Sequence, residues 1–201
     1  MIACIGVPPM QDRPTLVVVS GPPATGKTTL ARALAQQLGC PAIIRDEIKQ
    51  GMVISTPHHQ TAGDDPLNIP TLDVFFKTIT LLLQAGVNLV AEAAFQDRLW
   101  RPGLEPLLHL ADLRIIRCTT PTSTITERIT ERARTDSHRA AHGDQALLAD
   151  MAAGTYDPEQ FKAISLDVPT LVVDTSDGYT PGTDEIQAFL RTPQPSLSPR
   201  K

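Results

Sequence analysis

Residues 21–28 read Gly-Pro-Pro-Ala-Thr-Gly-Lys-Thr and match the phosphate-binding loop pattern G-x-x-x-x-G-K-[ST] at every fixed position. The apolar stretch 16–19 precedes the loop and suits a buried parallel strand. The segment 28–38 follows it and favours a helix that Gly39 closes. A strand, a glycine-rich loop and a helix N-terminus in this order form an anion cradle, because backbone N–H groups and the helix dipole both favour a bound anion. The sequence therefore predicts a nucleoside triphosphate site.

The residue types of this loop suit ATP and Mg²⁺. The Lys27 ammonium can reach the β- and γ-phosphates, which makes Lys27 both a catalytic and a nucleotide-binding candidate. The Thr28 hydroxyl is the predicted Mg²⁺ ligand. The nucleotide-binding residues that the motif predicts are Gly21, Ala24, Thr25, Gly26, Lys27, Thr28 and Thr29.

Composition limits the partners that the chain can have. The protein has 201 residues, a formal net charge of −4 and 4% aromatic residues, which argues against nucleic-acid binding because that binding usually needs a basic excess and stacking rings. No apolar run is long enough to cross a membrane, and the first residues carry no secretory signal pattern. Three widely spaced cysteines suit a reducing cytoplasm. We expect a cytoplasmic protein with a small-molecule partner, and the oligomeric state stays open.

Short apolar runs alternate with helix-forming segments along the chain. We predict strands at residues 16–19, 42–44, 88–91, 113–117 and 170–173. We predict helices at residues 28–38, 72–84, 99–110, 122–134, 145–153 and 184–190. This alternation predicts one α/β domain over residues 15–191, with a parallel sheet of about five strands and helices on both faces. Residues 1–14 form an N-terminal arm in this interpretation, and the polar, proline-rich residues 192–201 form a disordered tail.

Four motifs make residues 15–190 resemble the small P-loop kinases of the AAA_33 group, with its zeta-toxin and polynucleotide-kinase relatives. They are the loop with its flanks at 20–29, the Arg45-Asp46-x-x-Lys49 motif, the Arg128-x-x-x-Arg132 pair, and residues 172–176. The second motif is similar to the R-D-x-x-R/K motif of polynucleotide kinases. The resemblance implies a P-loop NTPase-type sheet with a small lid, and ATP- and Mg²⁺-dependent phosphoryl transfer.

The resemblance also assigns roles. The aspartate that Asp46 matches takes the proton from the attacking hydroxyl, and Arg45 lies beside the acceptor. Asp46 has an alternative role as the N-cap of a helix that begins near Glu47, and both roles can hold at once. The turn with Asp174 and Thr175 often lies against the adenine base in kinases of this shape, although these residues also suit a plain turn.

Two further groups are candidates on their position. Glu92 ends a predicted strand, where a carboxylate can hold Mg²⁺ through water or orient the acceptor; the alternative is a buried acid paired with Lys27. Arg128 and Arg132 share one helix face and could clamp phosphate oxygens, with Arg132 as a catalytic candidate; the alternative is a solvated face balanced by the neighbouring glutamates.

Several other polar residues are candidates for contact with the acceptor, but they do not identify it. Lys49 and Arg98 are candidates for steering an anionic acceptor, or ordinary surface charges. The loop 55–70 is predicted to line the acceptor pocket. Residues 138–144 read His-Arg-Ala-Ala-His-Gly-Asp and lack the proline and glycine of the R-H-P-G-H-x-D element that many relatives carry. The histidine pairs at 58–59 and 138/142 are interpreted as polar or acceptor-contacting residues rather than a zinc site.

Three functions are compatible with these residues. The first is a kinase that transfers the γ-phosphate of ATP to a hydroxyl of a sugar, nucleoside or antibiotic-like small molecule. The second is a polynucleotide 5′-hydroxyl kinase, which the Arg45-Asp46 pair favours. The third is a non-catalytic nucleotide-binding regulatory module. The residues do not distinguish ATP from GTP.

Overall fold

A five-stranded parallel sheet forms the centre of the protein, in a computed structural model that describes residues 13–56, 65–135 and 144–192. The strand order is β2-β3-β1-β4-β5. The strands are β1 (Thr15–Ser20), β2 (Ala42–Ile44), β3 (Leu89–Glu92), β4 (Asp112–Thr119) and β5 (Thr170–Asp174). All five predicted strands are present, and the predicted α/β fold with its P-loop NTPase-type sheet is confirmed.

Within the described ranges, seven α-helices surround this sheet. They are α1 (Lys27–Leu38), α2 (Arg45–Ser55), α3 (Asn68–Gln84), α4 (Asp97–Leu104), α5 (Thr122–Thr135), α6 (Asp144–Ala152) and α7 (Thr183–Arg191). Short 3₁₀ helices cover Glu105–His109 and Pro158–Phe161. Among these described segments no helix is both long and apolar enough to cross a membrane.

Alternate residues of β1 pack against helices on opposite faces of the sheet. Leu16 and Val18 belong to the core that α3 and α4 cover, whereas Val17 and Val19 belong to the core that α1 and α7 cover. Successive side chains of a strand point to opposite faces, so a strand that is apolar throughout is buried on both sides. The helices therefore lie on both faces of the sheet, as predicted.

The helix α2 begins where no capping residue signals a start. Its N-cap position is Ile44, the last residue of β2, and no side chain caps it. Asp46 lies in the first turn of the helix, so the alternative interpretation of Asp46 as the N-cap is wrong. A carboxylate in the first turn still interacts favourably with the helix dipole.

Two further differences between the predicted and the observed helices lie at prolines. The helix α3 begins at Asn68 rather than 72, because Pro70 lies in its first turn, where a missing N–H costs no helical hydrogen bond. The predicted helix at 99–110 divides into α4 and the 3₁₀ helix Glu105–His109. Pro106 is at the start of the second piece, and its nitrogen carries no N–H to continue the α-helical hydrogen-bond series.

An aromatic cluster lies on the α3 side of the sheet. Phe75, Phe76, Phe95 and Trp100 contact one another with ring centroids between 5.1 and 6.3 Å apart, mostly edge to face. Gly103 of α4 packs so closely on this cluster that an added Cβ would lie 2.2 Å from the Phe76 ring. The cluster gives α4 and the preceding segment a rigid support.

Some predictions fall on residues that the structure does not describe. They concern residues 1–12 of the N-terminal arm, His58 and His59, His138 and His142, and residues 193–201 of the tail. The domain bounds at residues 15 and 191 stay a prediction.

Candidate active site

The phosphate loop runs from the end of β1 to the start of α1 and has an unusual backbone. Gly21 has a φ of 135°, and a Cβ there would lie 2.3 Å from the carbonyl oxygen of Cys118. Gly26 is the N-cap of α1 with a φ of 72°, and no side chain caps this helix. The N–H groups of the first turn therefore have no side-chain acceptor from a cap, which suits them to phosphate oxygens.

Ala24 is a non-glycine residue in the left-handed region, with a φ of 61°. Its methyl group packs with Ile125 and Ile129 of α5. This packing compensates for a backbone conformation that most residues avoid. The loop is thus held in shape by the helix that covers it.

The Lys27 side chain is buried inside the loop. Its Nζ donates a 2.6 Å hydrogen bond to the carbonyl oxygen of Pro22, and the Thr25 hydroxyl donates to the same oxygen at 2.8 Å. Burial lowers the pKa of Lys27, and the carboxylates of Glu92 and Asp46 oppose this shift. Lys27 is therefore a buried cation that an anion can stabilise.

Glu92 lies beside the loop because β3 pairs with β1 in parallel, with Val19 opposite Glu92. The Thr28 hydroxyl donates a 2.8 Å hydrogen bond to Glu92 Oε2. Burial raises the pKa of Glu92, and the Lys27 ammonium opposes the shift. A hydroxyl and a carboxylate at this distance are the hard oxygen donors that Mg²⁺ prefers. The donor set therefore fits Mg²⁺, and Glu92 also interacts electrostatically with Lys27.

Asp46 lies in the first turn of α2, close enough to Lys27 to act on it electrostatically. Arg45 Nη1 donates a 3.0 Å hydrogen bond to Asp46 Oδ1, and the Asp46 side chain is 45% exposed. Arg45 is itself held in place, because Nη2 donates to Asn68 Oδ1 at 2.8 Å and the guanidinium lies 5.8 Å from the Phe95 ring centroid. The carboxylate is thus oriented by a fixed cation and open to a ligand.

A cleft of about 550 Å³ opens beside Asp46. The N-terminal turns of α2 and α3 form one side, and the segment from β3 into α4 forms the other. Polar side chains and apolar side chains both line it: Arg45, Asp46, Asp65, Asn68, Arg98, Pro66, Ile69, Leu72, Ala94, Phe95 and Leu99. Ligand pockets of about 300–1,000 Å³ are usual for small molecules.

The two cations that were predicted to steer an acceptor differ in burial: Lys49 is buried, whereas Arg98 is exposed. Lys49 is not an ordinary surface charge: it is buried, forms a 2.6 Å ion pair with Asp65 and donates to Asn68 at 3.0 Å. Arg98 is exposed on the cleft wall, and its Nε donates a 2.6 Å hydrogen bond to Gln96. Asn68 and Asp65 line the cleft from segment 55–70, which was predicted to line the acceptor pocket, but sequence reasoning singled out neither residue.

The two arginines of α5 both reach the phosphate loop. Arg128 donates to the carbonyl oxygens of Ala24 at 3.3 Å, Thr175 at 2.6 Å and Ser176 at 3.1 Å. Arg132 lies close enough to Lys27 to lower its pKa. The solvated-face alternative therefore does not describe Arg128, whose guanidinium binds backbone carbonyls. Contact of either arginine with phosphate stays a prediction.

The turn after β5 supports the loop from the other side. Thr175 is buried, and its hydroxyl donates to the Thr25 carbonyl at 2.7 Å. Asp174 is exposed, and hydrogen bonds from Ser176 lower its pKa. The predicted contact of Asp174 and Thr175 with the adenine base stays a prediction.

Several solved structures share this fold. The "putative kinase" of Chloroflexus aurantiacus J-10-fl is 25% identical, with 90% of this chain and 96% of that chain covered and a TM-score of 0.70. A sugar kinase from Janibacter sp. HTCC2649 is 19% identical, with 88% and 94% covered and a TM-score of 0.61. The Mycobacterium tuberculosis APS kinase, solved with AMPPNP and APS, is 18% identical, with 90% and 99% covered and a TM-score of 0.56.

A comparison with curated proteins finds no match to the chain. The family model described as AAA domain, AAA_33, matches residues 16–158, which include the phosphate loop, Asp46, Glu92 and both arginines of α5. The match covers well over half of the sequence. The chain belongs to the AAA_33 family of AAA domains.

Proposed function

We propose that the protein is a kinase that transfers the γ-phosphate of ATP to a hydroxyl of a small molecule bound in the cleft beside Asp46. One observation carries the proposal. Asp46 lines the cleft and also acts electrostatically on Lys27 inside the phosphate loop. A carboxylate between a phosphate site and a small-molecule cleft is where in-line transfer needs a base.

Each group of residues in the site has its own role in the proposed reaction. Backbone N–H groups of the loop and Lys27 bind and orient the β- and γ-phosphates. Thr28 and Glu92 would hold Mg²⁺, which when bound neutralises charge on the phosphates. Asp46 accepts the hydroxyl proton at its carboxylate, and Arg45 orients that carboxylate. Arg132, from α5, adds positive charge close to Lys27.

The small-molecule kinases among the similar structures support this choice of acceptor. The size of the cleft supports it as well, since a polynucleotide needs an open basic channel with stacking rings. Among the described residues that line the cleft, Phe95 is the one aromatic residue, and its ring is buried and already lies against Arg45.

The proposal is tested by following ADP formation with MgATP and a library of hydroxylated small molecules, beside 5′-hydroxyl oligonucleotides. Acceptor-dependent ADP formation with a small molecule, lost in Asp46→Asn, supports the proposal. Phosphorylation of oligonucleotide ends would favour a polynucleotide kinase. Tight ATP binding without transfer to any acceptor would favour a regulatory module.

A further inference from the structure

The charges that line the cleft are mostly balanced within the protein. Lys49 and Asp65 form an ion pair of 2.6 Å, with both side chains at most 10% exposed. Arg45 and Asp46 form a second pair of 3.0 Å. These two pairs bring no net charge into the cleft.

Arg98 is the exception. Within the described ranges no carboxylate forms an ion pair with it, and its Nε hydrogen bond goes to the neutral amide of Gln96. The amide of Gln96 in turn donates to Gln160 at 2.6 Å. The Nε of the Arg98 guanidinium is therefore held by Gln96, while the two terminal nitrogens remain available to a ligand in the cleft.

The position of Arg98 is electrostatically unfavourable in the protein without a bound ligand. It lies in the first turn of α4, where the helix dipole disfavours a cation. By contrast, Arg101 lies in the last turn of the same helix and pairs with Glu105 at 2.7 Å. Arg98 is thus a cation at the N-terminal end of a helix and on the wall of a cleft, and no carboxylate among the described residues pairs with it. Such a cation is suited to bind an anion.

We propose, on the basis of the proposed function, that the acceptor is an anionic sugar-sized molecule whose carboxylate or phosphate binds Arg98 while its hydroxyl faces Asp46. The planar guanidinium matches either group through two parallel hydrogen bonds. The apolar side of the cleft, with Ile69, Leu72 and Phe95, contacts the carbon skeleton. The acceptor class is thus a sugar acid or a sugar monophosphate rather than a neutral sugar.

The test measures binding in the intact protein saturated with AMPPNP and Mg²⁺, so that probes cannot occupy the phosphate loop. The probes are a set of aldonic acids and aldose monophosphates, each beside its uncharged parent sugar, measured by calorimetry. We expect binding only among the anionic probes, with affinity falling as salt rises. The carboxylate and phosphate arms identify which anion is used.

Variants show whether Arg98 is responsible. Arg98→Gln should weaken binding of the anionic probe about 10- to 100-fold, the usual effect of losing a hydrogen bond to a charged group. Arg98→Lys should recover part of the affinity, and Arg101→Gln is the matched control on the same helix and should change nothing. Equal binding of the neutral parents, no binding by any probe, or an unchanged affinity in Arg98→Gln overturns the inference. Failure of AMPPNP binding instead overturns the proposed function.

Discussion

The hydroxyl of Thr175 donates a 2.7 Å hydrogen bond to the carbonyl oxygen of Thr25, a residue 150 positions earlier in the chain. The Thr175 N–H also donates to the Thr119 carbonyl at 2.9 Å. Thr25 and Thr175 are both buried. The end of β5 therefore fixes the phosphate loop to the end of β4.

Thr175→Val removes the hydroxyl while keeping the side-chain volume. We expect the free energy of unfolding to fall by about 1–3 kcal/mol, because the buried Thr25 carbonyl loses a donor. Affinity for ATP should fall as well, since the loop loses its support. Urea denaturation and nucleotide titration measure the two effects. Thr175→Ser is the control and should keep most of both; a Thr175→Val protein as stable as the wild type would show that this hydrogen bond has no role.

Lys27→Ala tests the phosphate loop itself. Burial already lowers the pKa of Lys27, so the ammonium is destabilised until an anion neutralises it. We expect ATP affinity to fall about 10- to 100-fold, the usual effect of losing a charge-assisted hydrogen bond, with an unchanged circular dichroism spectrum. Lys77→Ala, on the exposed side of α3, serves as the control. Unchanged affinity and unchanged turnover in Lys27→Ala would disprove the assignment of the loop.

The strands and the loop were predictable because their signals are local. Residues 16–28 carry an apolar run and a motif whose spacing specifies its own geometry. The helix α2 was not predicted in full because Ile44 is its N-cap and Gly51 lies within it, so neither capping nor propensity indicates it. The contacts of Thr175 and Asn68 depend on tertiary packing between distant segments. No pattern in the sequence specifies which partner such a buried hydroxyl or amide will find.

Two glycines in helices should respond to alanine in opposite directions. A Cβ at Gly103 would lie 2.2 Å from the Phe76 ring, whereas a Cβ at Gly51 would have no heavy atom within 4 Å. We expect Gly103→Ala to destabilise by about 1–3 kcal/mol through overpacking. Gly51→Ala should stabilise by about 0.5–1 kcal/mol through the entropy of the unfolded chain. Thermal unfolding of the pair measures both, and equal shifts would contradict the packing described for α4.

The thiol of Cys118 should be unreactive in the folded protein. Burial raises its pKa to about 12, with a smaller opposing effect from Lys27. The pKa of an unfolded cysteine is about 8.5, so this contribution to stability is full below that value and is lost as pH rises towards 12. Cys40 is only partly buried, so in a Cys4→Ser background iodoacetamide at pH 8 should label Cys40 first and Cys118 only after denaturation. Rapid labelling of Cys118 in the folded protein would contradict its burial under the loop.

The central claim is tested most directly by transfer of labelled phosphate from γ-labelled ATP in wild-type protein and in Asp46→Asn. The asparagine keeps the shape of the side chain but cannot accept a proton. With the small molecule that supports the fastest transfer, we predict that turnover falls about 10²–10⁴-fold while ATP affinity stays within a factor of about two. Near-native turnover in Asp46→Asn, or transfer to oligonucleotide 5′ ends and to no small molecule, would contradict the account.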